Sequence, residues 1–585
     1  MRRPARTVMI QGTASDAGKS VINTAICRIL TEDGYKVAPF KSQNMSLNSY
    51  VTWDGKEIGR AQGVQADACG ILATTDMNPI LLKPKKDMVS QVVIHGKPMG
   101  DYAARTYREQ VLREAEPIVR GALDRLRSAY DVVVLEGAGS PAEINLKDRD
   151  IVNMRAAAWA EAPVVLVADI DRGGMFAAIV GTMELLEPHE RERVCGFIVN
   201  KFRGDVSLLQ PGLDWLEART GKPVLGVVPF LPDLGIEDED SLSLDGKLAA
   251  ARASGRLESA SGDDGLGVAG RDERVDGAGG GQARASEVLL DIAVIRLPHI
   301  SNFTDIDPLL QEPDVRVRFV RDAREWGAPH IVIIPGSKNA VDDLAYLHDS
   351  GLAGLIEGHR AGGGDVVGIC GGYEMLGLRL FDPLHAESDR DVTDGLGWFP
   401  FEVTFAAEKR TVRVQGTASL PGLAEAYPVE GYEIHMGSVS WRERAETNAT
   451  IVRAAAEKEQ TFANATDGEA MASGRHIGSP GPGASIRPFR LKEHEAADYF
   501  AEGCSSADGR VWGTFLHGVL HNDEFRRAWL NRVRASRGMA PIAAIVPTRK
   551  RREAAFDRLA AHVREHVRVD LLKQLMGLEA GADSR

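Results

Sequence analysis

The chain has 585 residues, room for about four domains at ~150 residues each or for two large α/β domains. Lys and Arg number 70 against 83 Asp and Glu, a formal charge of −13, and 44% of residues are hydrophobic. That balance supports sizeable cores, excludes collagen-like, coiled-coil and wholly disordered chains, and argues against a general nucleic-acid binder.

Taken in chain order, apolar β-branched runs at 7–10, 37–40, 91–95, 131–135, 163–169, 196–200 and 223–228 read as strands. Helix-length patterns lie between several of them. Residues 103–130 place apolar side chains at helical spacing, with Pro117 as an expected kink or break. Strand–helix alternation with near-continuous apolar strands predicts a parallel sheet covered on both faces. The pattern stops at 253–286, where Gly, Ala, Ser, Asp and Arg dominate and a flexible linker is expected. A second α/β unit opens at 288–296 and continues with strands at 315–320, 330–334 and 365–369. A polar stretch at 444–486 reads as an inserted surface loop, and the charged end from about Arg549 reads as helix packed on the outside. The expected organisation is a first domain over 1–247, a linker over 248–287, a second domain over 288–548 and a helical tail over 549–585. No function is assigned to the linker or the insert.

Five cysteines, with no Cys-x-x-Cys pair, predict neither a zinc site nor a disulfide framework. Their sparse, odd number suits a reducing cytosol, so a cytoplasmic location is expected. The basic start has an apolar run too short for a signal-peptide core, and no apolar run reaches about 18 residues. No membrane or nucleic-acid partner is expected.

Gly12-Thr-Ala-Ser-Asp-Ala-Gly18-Lys19-Ser20 follows one predicted strand and opens a predicted helix. Backbone N–H groups there can face phosphates, Lys19 supplies a cation, and the Ser20 hydroxyl can bind Mg²⁺. Five residues separate Gly12 from Gly18, not the usual four, and Thr13 stands where the first glycine is customary. Glu136 ends an apolar strand and is followed by Gly-Ala-Gly139, so its carboxylate is expected beside the phosphates, holding Mg²⁺ directly or through water. Lys41, Lys83, Lys97, Arg60 and Arg105 could be solvated surface charge or a cationic rim for an anionic substrate. Lys41 and Lys83 sit in the more distinctive surroundings.

In the second half, Asp365-Val-Val-Gly-Ile-Cys370-Gly371-Gly372 joins an apolar strand to a helix start. The glycines allow a sharp turn that projects the thiol, and the helix start favours the thiolate. The Gly371 N–H is placed to stabilise an oxyanion, with a second donor expected from the Pro335-Gly336-Ser337 turn. The base is expected to be His517, at the end of a strand-like run and just before Gly518, with His435 a weaker competitor and His521 at the surface.

These residues carry a resemblance. The cysteine half resembles the class I glutamine amidotransferases. The first half resembles the dethiobiotin-synthetase-like branch of the phosphate-loop proteins, which shares the five-residue spacing. With Phe40-Lys-Ser-Gln-Asn-Met-Ser-Leu-Asn48, Glu57-Ile-Gly-Arg-Ala-Gln62, Met77-Asn-Pro-Ile-Leu-Leu-Lys-Pro84, Glu136-Gly-Ala-Gly-Ser-Pro-Ala-Glu-Ile-Asn-Leu146 and Asp169-Ile-Asp-Arg-Gly-Gly174, the chain is similar to the cobyric acid synthase family. The resemblance implies two doubly wound α/β domains. It also implies ATP- and glutamine-dependent amidation of the b, d, e and g carboxylates of adenosylcobyrinic acid a,c-diamide in cobalamin synthesis. By motif it assigns Gly12, Thr13, Asp16, Gly18, Lys19, Ser20 and Asn200 to ATP, Ser20 and Glu136 to Mg²⁺, and Lys41, Lys83 and Asp171 to the substrate. Many class I amidotransferases carry an acid two residues after the catalytic histidine. Val519 stands there instead, leaving a backbone carbonyl, another acid or nothing to orient His517.

Three rivals follow. One is the sister enzyme that amidates the a and c carboxylates. Another is a ParA/MinD-like switch ATPase, which gives no reason for Cys370 and His517. The third is an amidotransferase acting on a cell-wall lipid, which would favour a basic or amphipathic surface stretch that does not stand out.

Overall fold

The structure, a computed structural model, describes residues 3–86, 88–107, 112–232, 234–237, 289–442 and 486–578. The expected linker and all but the last residue of the expected insert lie outside them.

The first half is built on six parallel strands in the order Val224–Pro229, Val194–Phe202, Val164–Asp169, Arg6–Gly12, Val132–Glu136 and Val37–Phe40. Val132–Glu136 is buried throughout, as a strand with helices on both faces must be. Arg6–Gly12 lies at the centre, and the chain leaves it toward strands on both sides. Its carboxyl end is therefore a switch point, flanked by Asp169 and Glu136 at the ends of the neighbouring strands.

Two expectations need correction. The run at 91–95 is not part of this parallel sheet. It forms Val89–Ile94, within a separate sheet ordered Gln43–Met45, Ile80–Lys86, Val89–Ile94 and Lys97–Ala103. The links on both sides of it are too short for a parallel crossover, so it pairs antiparallel with both neighbours. His95 and Gly96, with φ of 45° and 75°, supply the left-handed pair that a tight hairpin needs. Nor does Pro117 break its helix: Leu112–Ala129 runs through it.

The second half has its own six-stranded sheet, ordered Val315–Val320, Leu290–Ile295, Ile331–Ile334, Asp365–Ile369, Val511–Thr514 and Cys504–Ser505, parallel except for the last pair. Beside it stands a feature the sequence reading lacks. A long hairpin of Phe401–Ala418 and Tyr427–Trp441 is extended by Phe489–Glu493 into a second sheet.

The tail returns to the first half. In the helix Thr548–His566, Ala555, Phe556, Leu559, Ala560 and Val563 repeat at helical spacing and are buried. Leu559, Ala560 and Val563 share a core with Ile22, Ile26 and Ile29 of the helix Lys19–Glu32. Phe556 packs with Val64 and Ala68 of the helix Arg60–Ala68. Arg552 pairs with Asp67 and Glu237, each at 2.8 Å. Among the described residues no helix is long and apolar enough to cross a membrane.

Candidate active sites

The phosphate loop leaves the central strand at Gly12 and enters the helix at Lys19. Asp16 and Gly18 adopt φ of 58° and 92°, which curls the loop back on itself. A Cβ on Gly18 would come 2.1 Å from Asn200 Nδ2, so only glycine fits there. Asn200 in turn donates to the Ala17 carbonyl at 3.0 Å. Thr13 still belongs to the sheet, its N–H donating to Val167 O at 3.0 Å. Lys19 Nζ donates to Ala14 O at 2.9 Å and to Gly139 O at 3.2 Å, bridging the loop to the segment after Glu136.

Glu136 gathers the rest of this site. Its Oε1 accepts from Ser20 Oγ at 2.8 Å and from Lys41 Nζ at 2.9 Å, and its Oε2 from Gln65 Nε2 at 2.5 Å. Burial opposes its ionisation, yet the Lys41 ammonium and the hydrogen bonds from Lys41, Gln65 and Ser20 hold the carboxyl below its ordinary range. Gln65 is absent from the sequence reading; its only signal is a position on the helix Arg60–Ala68, which begins inside the Glu57–Gln62 motif. Ser20 and Glu136 present two hard oxygen donors at the head of the phosphate loop, a set that fits Mg²⁺ completed by phosphate and water.

The three expected substrate residues do not meet. Lys41 joins Glu136. Asp171 is half-exposed and pairs with Arg203 at 3.1 Å, on the Asn200 side of the loop. There Lys201 Nζ also reaches Asp16 O at 2.6 Å and Asp169 at 2.9 Å. Lys83 is buried at the junction with the second half. It donates to Glu57 Oε1 at 2.6 Å and to Ser49 Oγ at 2.7 Å, while Lys409 takes Glu57 Oε2 at 2.6 Å. Burial depresses Lys409 to about 7, against the pull of Glu57, and the Lys83 charge adds to the depression. Of the expected cationic rim, Lys97 and Arg105 are exposed, while Arg60 is buried.

In the second half Cys370 ends the strand Asp365–Ile369 with φ 51° and ψ −112°, a strained turn that starts a short helix at Gly371. A Cβ on Gly372 would meet Ile334 O at 2.0 Å, and one on Gly371 would lie 2.9 Å from the Ser337 nitrogen. The Pro335–Ser337 turn is thus brought against the elbow. Gly336 also borders the imidazole: a Cβ there would lie 3.2 Å from His517 Cε1. Burial pushes the Cys370 thiol well above its ordinary range, Glu374 adds to this, and the Gly371 N–H opposes it. The thiol donates to Ile434 O at 3.7 Å.

His517 is fully buried, and its Nδ1 lies 2.7 Å from Asp305 Oδ2. The other Asp305 oxygen accepts the Gly518 N–H at 2.7 Å. Burial opposes the Asp305 charge, but His517 and the Gly518 N–H hold its carboxyl below the usual range. An ionised carboxylate only accepts, so Nδ1 carries the proton and Nε2 is the basic nitrogen. Asp305 therefore takes the place of the acid missing at Val519. Sequence reasoning missed it because it lies in a single turn, Phe303–Ile306, far upstream and in no spacing rule with His517. The Tyr432 ring stacks on His517 with centroids 5.1 Å apart, and its hydroxyl accepts from Arg60 Nη2 at 2.7 Å.

The two other histidines fall outside this arrangement. His435 stacks on Phe515 and places Nδ1 2.7 Å from Gly437 O. His521, expected at the surface, is instead part-buried, with Nε2 2.9 Å from Thr304 O, where it braces the turn that holds Asp305.

Residues 8–244 match the family described as the CobQ/CobB/MinD/ParA nucleotide binding domain. Residues 291–480 match the CobB/CobQ-like glutamine amidotransferase domain. The cobyric acid synthase of Geobacillus kaustophilus is 47% identical over 570 residues, 97% of each chain. That of Desulforamulus reducens is 44% identical over 581 residues, 99% of each chain. A solved glutamine amidotransferase covers 42% of this chain and 98% of its own, with a TM-score of 0.26 and 14% identity, too distant to carry an argument.

Proposed function

The chain belongs to the cobyric acid synthase family, and from that premise we propose how its two halves make an amide. It is a glutamine-hydrolysing carbon–nitrogen ligase of cobalamin synthesis. The acceptor is adenosylcobyrinic acid a,c-diamide, amidated at its b, d, e and g carboxylates, and the nitrogen donor is L-glutamine. We place the reaction in the cytoplasm, where a thiol nucleophile stays reduced.

In the second half, His517 Nε2 takes the Cys370 proton and the thiolate attacks the glutamine side-chain carbonyl. The Gly371 N–H and the Gly336 turn face the resulting oxyanion. His517 returns the proton to the leaving nitrogen, ammonia departs, and water hydrolyses the glutamyl thioester with His517 again as base. Asp305 keeps the proton on Nδ1 throughout and stabilises the transient imidazolium, as the acid of a catalytic triad does.

In the first half, a corrinoid carboxylate attacks the γ-phosphate of ATP and ADP leaves. The acyl phosphate that forms is captured by ammonia, releasing phosphate. Activation is needed because a carboxylate at neutral pH is a poor electrophile. The loop from Gly12 to Ser20 cradles the phosphates, and Lys19 exchanges its carbonyl partners for phosphate oxygens. Asn200 borders the loop at Ala17, on the side assigned to the base. Ser20 and Glu136 are the residues that would hold Mg²⁺, which would there offset charge on the transferring phosphoryl group.

The observation that carries this reading is the Asp305–His517 pair beside the Cys370 elbow, in one chain with a phosphate loop. A switch ATPase has no use for the three. The test offers purified protein ATP, Mg²⁺ and glutamine with either cobyrinic acid or the adenosylated a,c-diamide. Mass spectrometry then counts the amides. Four amides on the a,c-diamide support the reading, provided they vanish in Cys370→Ala with glutamine and persist with ammonia. Two on cobyrinic acid and none on the diamide assign the sister reaction.

A further inference from the structure

The glutaminase base is touched from the other half of the chain. The Ser49 N–H, in the strand Ser49–Val51, donates to Asn302 Oδ1 at 3.0 Å, and the contact is buried. A backbone N–H can only donate, which fixes the orientation of the Asn302 amide. Its nitrogen therefore points the other way, where it lies 3.5 Å from His517 Nε2. With Nδ1 protonated against Asp305, Nε2 is the acceptor, and its lone pair is the one that must take the thiol proton. The Asn302 amide stands at the outer edge of hydrogen-bond reach in front of that lone pair. The Cys370 thiol meanwhile donates a hydrogen bond to the Ile434 carbonyl at 3.7 Å. In this arrangement the nucleophile and its base are each turned to another partner.

Asn302 is also mechanically tied to the triad. It sits at φ 50° and precedes the turn that carries Asp305, whose N–H donates back to Asn302 O at 3.1 Å. On the opposite side, the Ser49 hydroxyl bonds Lys83 and Glu57, in the half that binds ATP and the acceptor. A continuous line of contacts thus runs from Lys83 through Ser49 and Asn302 to His517.

We propose that Asn302 is a positioning residue that holds the glutaminase idle until the synthetase half is loaded. Ser49 aims the Asn302 amide at the His517 lone pair. Acceptor binding in the first half shifts the Ser49 strand and withdraws the amide, so that Cys370 and His517 can pair. Ammonia is then released only when a carboxylate is waiting for it. The acceptor's identity rests on the function proposed above; the brake itself does not.

The test uses the full chain and Asn302→Gly, because glycine accepts the left-handed backbone that alanine would strain. Ammonia release is measured with glutamine alone and again with ATP, Mg²⁺ and the a,c-diamide. The variant should hydrolyse glutamine alone roughly three- to tenfold faster than the parent, the worth of one net hydrogen bond, and respond less to the other substrates. The gain should lie in kcat with KM for glutamine little changed. An unchanged rate with glutamine alone overturns the proposal. So does a fall in both conditions, which would make Asn302 a support of the base. A second measurement needs no variant: haloacetamide labelling of Cys370 in the parent should speed up when ATP and the acceptor are present, and equal rates overturn the proposal. Ammonia-driven amidation run beside these assays reads the synthetase reaction alone, so failure of the corrinoid assignment is seen separately from failure of the brake.

Discussion

Asp305 and His517, 212 residues apart in the chain, meet at 2.7 Å between a carboxylate oxygen and Nδ1. Each is buried, and the carboxylate's second oxygen is fixed by the Gly518 N–H. The pair decides which imidazole nitrogen is basic before any substrate arrives.

Asp305→Asn tests this directly. The amide keeps the shape but can present an N–H to Nδ1, which favours the wrong tautomer. Glutamine-dependent turnover should fall by about a hundredfold to ten-thousandfold. Ammonia-dependent amidation should keep its parent rate. A parallel loss of both activities would instead mean that Asp305 supports the fold and not the base.

The junction of the halves makes a second prediction. Glu57 is buried between two ammonium groups, Lys83 and Lys409. Glu57→Gln leaves the buried Lys83 without its counter-charge and should cost about 3–5 kcal/mol in denaturant unfolding. Lys409→Met leaves a matched pair and should cost far less. The pH dependence has a definite sign. Lys409 releases its proton near pH 7 when folded and near 10.5 when unfolded, so between those values the unfolded chain binds more protons. The Lys409 contribution to stability should therefore rise with pH across that window, a slope absent from Lys409→Met. An equal slope in parent and variant would contradict the depressed ammonium.

The tail supplies the third. Phe556 is fully buried against Val64 and Ala68 of the first half. Phe556→Ala should cost about 3–5 kcal/mol, and the loss should appear in the unfolding of the nucleotide-binding half. Unfolding followed by ATP protection would show it. If only the glutaminase half lost stability, the packing described would be wrong.

Legibility followed locality. The phosphate loop and the cysteine elbow could be read because each is a single turn with its glycines adjacent in sequence: Gly18 takes φ 92°, and Gly372 passes close to Ile334 O. Thr13 departs from the common loop pattern, but it lies just past the strand and its N–H bonds Val167 O. Asp305, Gln65 and Asn302 could not be read, because each acquires its role from a partner brought near by the fold. Lys83 shows the converse: its motif is distinctive, but the partner that the fold gives it, Glu57, could not be read from the motif. The apolar run at 91–95 marks a strand but not its sheet, since a run of apolar residues does not say which neighbours it will pair with. Its short flanking turns held that information.

The return of the last long helix onto the first half orders events during synthesis. Ile22, Ile26 and Ile29 are sealed by Leu559, Ala560 and Val563. The ribosome makes the nucleotide-binding half first, but its flank stays uncovered until almost the whole polypeptide has emerged. A product interrupted anywhere in the glutaminase half therefore carries an open apolar face on its amino-terminal half. Transiently exposed apolar surface of this kind is aggregation-prone, so an interrupted chain should be less soluble than the full one.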